Sequence, residues 1–495
     1  MKDVVLSIDQ GTTGTTALLL DKNVQVVAHH NVEFPNHYPS PGLVEHDVAQ
    51  IWESVREAVT EAIRLAGGAD AIRIQAIGIT NQRETCLFWD HETGEPIHRA
   101  LVWQDRRTAD RCQTMKSAGH ESEIRAKTGL VLDPYFSGTK AAWLLDNVEG
   151  ARERAERGQL LFGTIDTWVA WKLTGAHVTD PSNASRTLLF NIHDMVWDES
   201  LLSMLEVPAV TLPQVVDNAG VVGETKGVDF LPDGIPVSGL AGDQQSALFG
   251  QACFEPGTAK STYGTGAFVL LNTGERPVPS VNGLLTTVAW RLNGVTTYAL
   301  EGSSFIAGAA VQWLRDGLGI ISSAAEIEEL AASVPDSGGV MFVPALAGLG
   351  APYWRPDARG LISGITGGTT GAHLARATLD GIAHQICDIL TSMSNDANTP
   401  LTKLKVDGGA ARNNLLMQRQ ADLLGVACVR PTVLETTALG SAFLAGLGVG
   451  FWDSTDAITQ AWCEDRTFTP NLDSQSVTDA RKMWETTVQR TENAG

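Results

Sequence analysis

One carboxylate stands among small and polar residues in Ala241-Gly242-Asp243-Gln244-Gln245, directly after the apolar run Ile235 to Leu240. A strand that ends in small residues leaves such a side chain exposed, and an exposed carboxylate at a strand end can act as a general base. A second carboxylate opens the chain in the same way, where Val4 to Ile8 leads into Asp9-Gln10-Gly11-Thr12-Thr13-Gly14. Here an ionisable residue precedes a turn that gathers backbone N–H groups and hydroxyls, a setting that suits Mg²⁺ or its bound water. Each motif alone is as readily a simple turn. Together they point to an enzyme that moves a phosphoryl group.

Three further clusters carry hydrogen-bonding chemistry. Asn81-Gln82-Arg83-Glu84-Thr85 follows an apolar strand pattern. Its adjacent charges read either as a surface ion pair of little worth or as a clamp for a small polyol, since Arg donates in a fork and Glu accepts from hydroxyls. Trp103, in Val102-Trp103-Gln104-Asp105-Arg106, and Tyr135, in Asp133-Pro134-Tyr135-Phe136, read either as core aromatics or as walls of a ligand site. A P-loop, a Gly-x-Ser-x-Gly elbow and a His-Glu-x-x-His helix are all absent.

These groups need elements to hold them. Val4 to Ile8 and Ala17 to Leu20 predict a β-hairpin with the Gly/Thr turn at its tip. Ile51, Val55, Val59, Ala62 and Ile63 recur at helical spacing, predicting a helix over Val48 to Leu65 with Asp47 as N-cap and Gly67-Gly68 as its stop. A strand is expected over Ile72 to Ile79. Between about residues 120 and 200 helical stretches alternate with turns, and Phe162 to Leu173 carries Trp168 and Trp171 as core residues. Gln251 to Gly257 interrupts the pattern, and Lys260 to Leu271 then repeats the opening layout of strand, Gly/Thr turn and strand around Tyr263-Gly264-Thr265-Gly266. Two such hairpins facing each other would hold a polyphosphate from both sides. A third glycine turn, Asp407-Gly408-Gly409, lies between a strand pattern and the helical Leu415 to Leu424, whose N-terminus favours an anion.

Composition narrows the partners. The 495 residues allow two or three domains, and a formal charge of −21 argues against nucleic acid, whose phosphates need clustered cations. No apolar run approaches a membrane span, no secretory leader is visible after Met1-Lys2-Asp3, and the six cysteines form no metal or disulfide pattern. A cytoplasmic setting is the expectation.

With Asp9-Gln-Gly-Thr-Thr13, Asn81-Gln-Arg-Glu-Thr85, Trp103-Gln-Asp-Arg106, Tyr135-Phe-Ser-Gly-Thr-Lys140, Gly242-Asp-Gln-Gln245, Tyr263-Gly-Thr-Gly266, Gly350-Ala-Pro-Tyr-Trp354 and Asp407-Gly-Gly409, the chain resembles the FGGY carbohydrate kinases, in their glycerol-specific branch. The resemblance implies an α/β fold of two actin-like, ribonuclease-H-like domains, over residues 1–250 and 251–495, with ATP and substrate in the cleft between them. It implies phosphorylation of glycerol, with Asp243 as catalytic base. Arg83, Glu84, Tyr135, Asp243 and Gln244 would contact the hydroxyls, and Trp103 and Phe268 would wall the carbon skeleton. Thr12, Thr13, Gly14, Thr265, Gly308, Gln312, Gly409 and Asn413 would contact ATP, and Asp9 with Asp243 would serve Mg²⁺. A homo-oligomer, dimer or tetramer, is also implied.

Two departures stand out. Thr16 replaces an arginine expected just after the first hairpin turn, removing one cationic contact to the phosphates. The loop Gly227 to Gly234 lacks the Gly/Arg-rich sequence that binds fructose 1,6-bisphosphate in some relatives, and the phosphorylatable His of others is absent nearby, so weak or no control by either route is expected. A kinase for a larger sugar on the same scaffold is one alternative. A non-catalytic actin-like nucleotide-binding protein is another, whose signature would be loss of the strand-end base.

Overall fold

The computed structural model describes residues 1–492 and shows two lobes built on the same strand plan. In the first, β1 (Lys2–Gln10), β2 (Gly14–Asp21) and β3 (Val26–Glu33) form an antiparallel meander. Helix α1 (Val48–Leu65) returns the chain to β4 (Ile72–Asn81), which lies parallel to β1; β5 (Ala219–Glu224) and β6 (Pro236–Gly242) complete the order β5-β6-β4-β1-β2-β3. Helix α2 (Asp243–Gly250) follows β6 directly.

The second lobe repeats this arrangement. Antiparallel β7 (Thr258–Tyr263) and β8 (Ala267–Gly274) correspond to the opening hairpin, and β9 (Leu285–Leu292) and β10 (Val295–Ser304) extend it. After α3 (Gly308–Asp316) and the long α4 (Gly371–Ala397), β11 (Lys403–Asp407) pairs parallel with β7, as β4 does with β1. Helix α5 (Asn414–Leu424), β12 (Cys428–Pro431), α6 (Thr436–Gly448) and β13 (Glu464–Phe468) finish the order β9-β10-β8-β7-β11-β12-β13.

The local reasons are those in the sequence. Asp47 caps α1 by accepting from Ala49 N at 2.9 Å, and Val48, Ile51, Val55, Ala58, Val59 and Ala62 bury one face. The strand expected to end at Ile79 continues to Asn81. Phe162 to Leu173 is not one helical stretch: Leu160–Thr164 is a buried strand and the helix starts at Ile165. The three consecutive apolar residues Leu160, Leu161 and Phe162 give no period by which to separate the two. Trp168 and Trp171 do stack, with centroids 5.6 Å apart.

Alternation along the strands decides what each sheet offers the other lobe. On β1, Val4, Leu6 and Ile8 enter the first-lobe core, so Val5, Ser7 and Asp9 share the opposite face. On β8 and β10, Val269, Leu271 and Leu300 enter the second-lobe core, while Leu270 and Ala299 join Val5, Ala76 and Leu248 in a core shared by both lobes. Helix α6 packs on α2 and on β4 along this seam, so closely that a Cβ on Gly440 would lie 1.8 Å from Ser246 O of α2 and one on Gly78 of β4 2.1 Å from Ser441 O. The lobes are thus joined where backbones touch. Among the described residues no helix is long and apolar enough to cross a membrane.

Candidate active site

Asp243 is the first residue of α2, and its side chain is 31% exposed. Its Oδ1 accepts from Gln244 N at 2.6 Å, as suits a carboxylate at a helix N-terminus. Arg83 Nε lies 3.0 Å from the same oxygen. The loop after β4 and the start of α2 therefore meet because β4 and β6 are parallel neighbours, with Asn81 opposite Gly242.

The rest of the Arg83 fork is already engaged. NH1 and NH2 grip Glu301 on β10 at 2.5 and 3.1 Å, and NH1 also donates to Gln245 Oε1 at 3.2 Å. Arg186 completes a ring, donating to Glu84 Oε1 at 2.6 Å and to Glu301 Oε1 at 2.9 Å. All four charged residues are buried, so the Arg83–Glu84 pair is no surface ion pair. Burial pushes the Glu301 carboxyl up, but Arg186 and then Arg83 outweigh it and bring it down to about 2. Burial dominates at Glu84 and leaves its carboxyl above the usual range, against the pull of Arg186 and Arg83. Glu84 also holds a left-handed φ of 62°, the kind of backbone strain found at ligand clamps. Arg83 thus contacts Asp243 and joins the lobes through Glu301.

The aromatic wall is partly assembled. Trp103 and Tyr135 meet edge to face at 5.5 Å, and the buried Lys140 ammonium fixes the Tyr135 loop by donating to three carbonyls, Tyr135 O among them at 2.7 Å. Phe268 sits on β8 opposite Ser303 and, by alternation, shares the face of Leu270 that looks toward the first lobe. It makes no ring contact with Trp103.

The first Gly/Thr hairpin is tied to this wall. Trp103 Nε1 donates to Thr12 Oγ1 at 2.9 Å, and Gln82 Nε2 donates to Gln10 Oε1 and Gly11 O, both at 3.0 Å. Asp9 is the last residue but one of β1, beside this turn. Burial, and then the charge of Asp243, push its carboxyl up to about 7. A buried carboxyl raised by the charge of a second one suits a divalent cation. Among the described residues no group of three or more His, Cys, Asp or Glu side chains could hold a metal, so these two would hold it with substrate oxygens and water. Thr16, in place of the expected arginine, accepts from Asn31 Nδ2 at 2.9 Å.

On the second lobe a cavity of about 550 Å³ brings together Thr265, Gly308, Gln312, Gly409 and Asn413, all five expected nucleotide contacts of that half. Thr12, Thr13 and Gly14 do not line it. Its helix termini are not free anion sites. Gly308 N and Ala309 N donate to Gly264 O and Thr265 O at 2.9 and 3.0 Å. At α5, Asn413 Oδ1 caps Leu416 N at 2.9 Å and Glu328 accepts from Asn414 N at 3.1 Å. The anion expected beside that helix is thus in part a protein carboxylate. Its space and its Leu, Val and Ile lining suit a base and ribose.

Sequence reasoning missed Arg186, Glu301 and Lys260 as members of the site. Glu301 did carry a signal, a lone charge within the apolar strand Tyr298-Ala-Leu-Glu301, and so did Lys260 in Ala259-Lys260-Ser261.

Known proteins match this chain along nearly its whole length. The N-terminal domain of the FGGY family of carbohydrate kinases matches residues 4–250 and the C-terminal domain residues 259–449. The glycerol kinase of Myxococcus xanthus is 58% identical over 98% of this chain and 99% of its own length. Glycerol kinase 2 of Thermotoga maritima is 56% identical over 98% of both chains. The crystal structure of Plasmodium falciparum glycerol kinase with ADP superposes with a TM-score of 0.94 at 37% identity, covering 99% of this chain and 98% of that one. A xylulose kinase of Lactobacillus acidophilus shares the fold, with a TM-score of 0.88 at 22% identity over 99% of this chain and 97% of that one.

Proposed function

The chain belongs to the FGGY family of carbohydrate kinases, and from that premise we propose that it transfers the γ-phosphoryl group of ATP to glycerol, giving ADP and sn-glycerol 3-phosphate. The observation that carries this reading is the placement of Asp243, partly exposed at the start of α2 yet held by Arg83 at 3.0 Å.

A terminal hydroxyl of glycerol attacks the γ-phosphorus while its proton passes to Asp243. An alcohol is a far weaker acid than a carboxylic acid, but the transition state of phosphoryl transfer is loose and the proton leaves late, so a carboxylate suffices. Arg83 keeps the accepting oxygen oriented, and Glu301 keeps Arg83 in place. Gln244 and Glu84 bind the remaining hydroxyls, and Trp103, Tyr135 and Phe268 cover the carbon chain. Mg²⁺ at Asp9 and Asp243 would neutralise phosphate charge. The Gly/Thr hairpins supply hydroxyls and N–H groups to the phosphates, and the second-lobe cavity takes the nucleoside. Because both lobes contribute groups, closure aligns the reactants and excludes water, which limits wasteful ATP hydrolysis.

A coupled assay of ADP release across polyols and sugars tests the substrate. Turnover is expected with glycerol at far higher kcat/KM than with a pentulose or gluconate. A preference for either larger substrate would overturn the assignment.

A further inference from the structure

Lys260 is wholly buried on β7, yet it forms no ion pair. Its ammonium donates to Gln244 Oε1 and, at 2.9 Å, to Thr262 Oγ1. Burying an ammonium is costly, and an apolar side chain could fill the same space without that penalty. The register explains how it reaches Gln244. Lys260 lies opposite Leu270, which lies opposite Glu301, so the three side chains form one row on the face turned to the first lobe. Lys260 and Glu301 thus approach the start of α2 from the same strand row.

The chemistry of this contact fixes an orientation. An ammonium has three donors and no acceptor, so only the oxygen of a carboxamide can face it. The Gln244 side chain is therefore locked with Oε1 toward Lys260, and Nε2 becomes the end available to a ligand. Gln244 is 8% exposed, and its Nε2 has no protein partner. It is also not among the sealed, unpaired polar atoms of the interior, such as Gln251 Oε1 and Ser261 Oγ.

We propose that Lys260 is a positioning residue for substrate recognition: it holds the Gln244 carboxamide so that the site presents a donor, and therefore reads a substrate hydroxyl oxygen as an acceptor. This rests on the assignment of Gln244 to the polyol made above. Lys260 does not touch the substrate; it sets the hydrogen-bond polarity of the residue that does.

Steady-state kinetics of the full-length protein separate the possibilities. Gln244→Leu is expected to raise the glycerol KM about 10- to 100-fold with the ATP KM unchanged. Gln244→Glu keeps a partner for Lys260 and gains an ion pair, but turns an acceptor toward the cleft. It is expected to raise the glycerol KM as much as Gln244→Leu while its Tm does not fall. Lys260→Met should raise the glycerol KM by a comparable factor, and Lys260→Met/Gln244→Leu should be no worse than Gln244→Leu alone. An additive double variant, or a Gln244→Glu enzyme that binds glycerol as wild type does, overturns the role of Lys260 and leaves the polyol assignment standing. A glycerol KM unmoved by Gln244→Leu overturns both. If Lys260→Met does not fold, the comparison of Gln244→Glu with Gln244→Leu still decides.

Discussion

Glu301 and Arg83, 218 residues apart in sequence, form a buried two-point ion pair between the lobes, with contacts of 2.5 and 3.1 Å. The third nitrogen of the same guanidinium reaches Asp243 at 3.0 Å. A single arginine therefore links the proposed base to a strand of the opposite lobe, and the geometry of the reacting groups depends on how the lobes meet.

Glu301→Gln leaves two buried guanidinium groups with one carboxylate fewer. Stability is expected to fall by about 3 kcal/mol, in keeping with the loss of one partner of a buried ion pair. The same change should lower kcat, because Arg83 no longer holds Asp243. Denaturant unfolding and steady-state kinetics read the two effects, and a variant with wild-type stability and kcat would remove Glu301 from this role.

Arg83→Ala is expected to lower kcat as well as to raise the glycerol KM. Its contacts are with the base and with the second lobe as much as with any ligand. A pure KM effect would return Arg83 to substrate binding alone.

The pH dependence of metal binding follows from Asp9. Its folded carboxyl is raised from the ordinary 3.8 to about 7, so its contribution to stability is fully present below the lower value and lost as pH rises through the upper one. Above that range Asp9 is ionised beside the charge of Asp243, and a divalent cation relieves the repulsion. Mg²⁺ should therefore raise Tm more at about pH 8 than at about pH 6, with a proton released on binding near the lower pH. Calorimetry in buffers of different ionisation enthalpy measures that proton. An equal Mg²⁺ effect at both pH values, or one that survives in Asp9→Asn, contradicts the assignment.

Gly409 lines the second-lobe cavity, and a Cβ there would meet nothing within 4 Å. Gly409→Ile should project into the cavity and raise the ATP KM about tenfold or more, with the glycerol KM and the Tm nearly unchanged. A rise in the glycerol KM instead would place the nucleoside elsewhere.

Much of this architecture was legible from local pattern. The helical spacing of Ile51, Val55 and Val59 and the cap at Asp47 placed α1, and the glycine turns flanked by apolar runs placed both hairpins. The strand-end carboxylates announced themselves because an ionisable residue between an apolar run and small residues has few structural uses. What escaped was pairing at long range. Arg186 sits in Asn183-Ala-Ser-Arg186-Thr, where nothing local marks it, and its partners Glu84 and Glu301 are more than a hundred positions away. Alternation does place Lys260 and Glu301 on the face opposite the second-lobe core. That this face is covered by the first lobe follows only from how α6 packs on β4 and α2 at glycine contacts such as Gly78 against Ser441 and Gly440 against Ser246.

The central claim is that glycerol accepts the phosphoryl group and that Asp243 takes its proton. Asp243→Asn is expected to lower kcat about 100- to 10,000-fold while both KM values stay within a few-fold of wild type. The most direct measurement is ADP release from ATP with Mg²⁺, with and without glycerol, by the wild-type protein and by Asp243→Asn. The account predicts strong stimulation by glycerol in the wild type and almost none in the variant. ADP release indifferent to glycerol, or an Asp243→Asn enzyme that keeps its kcat, would contradict it.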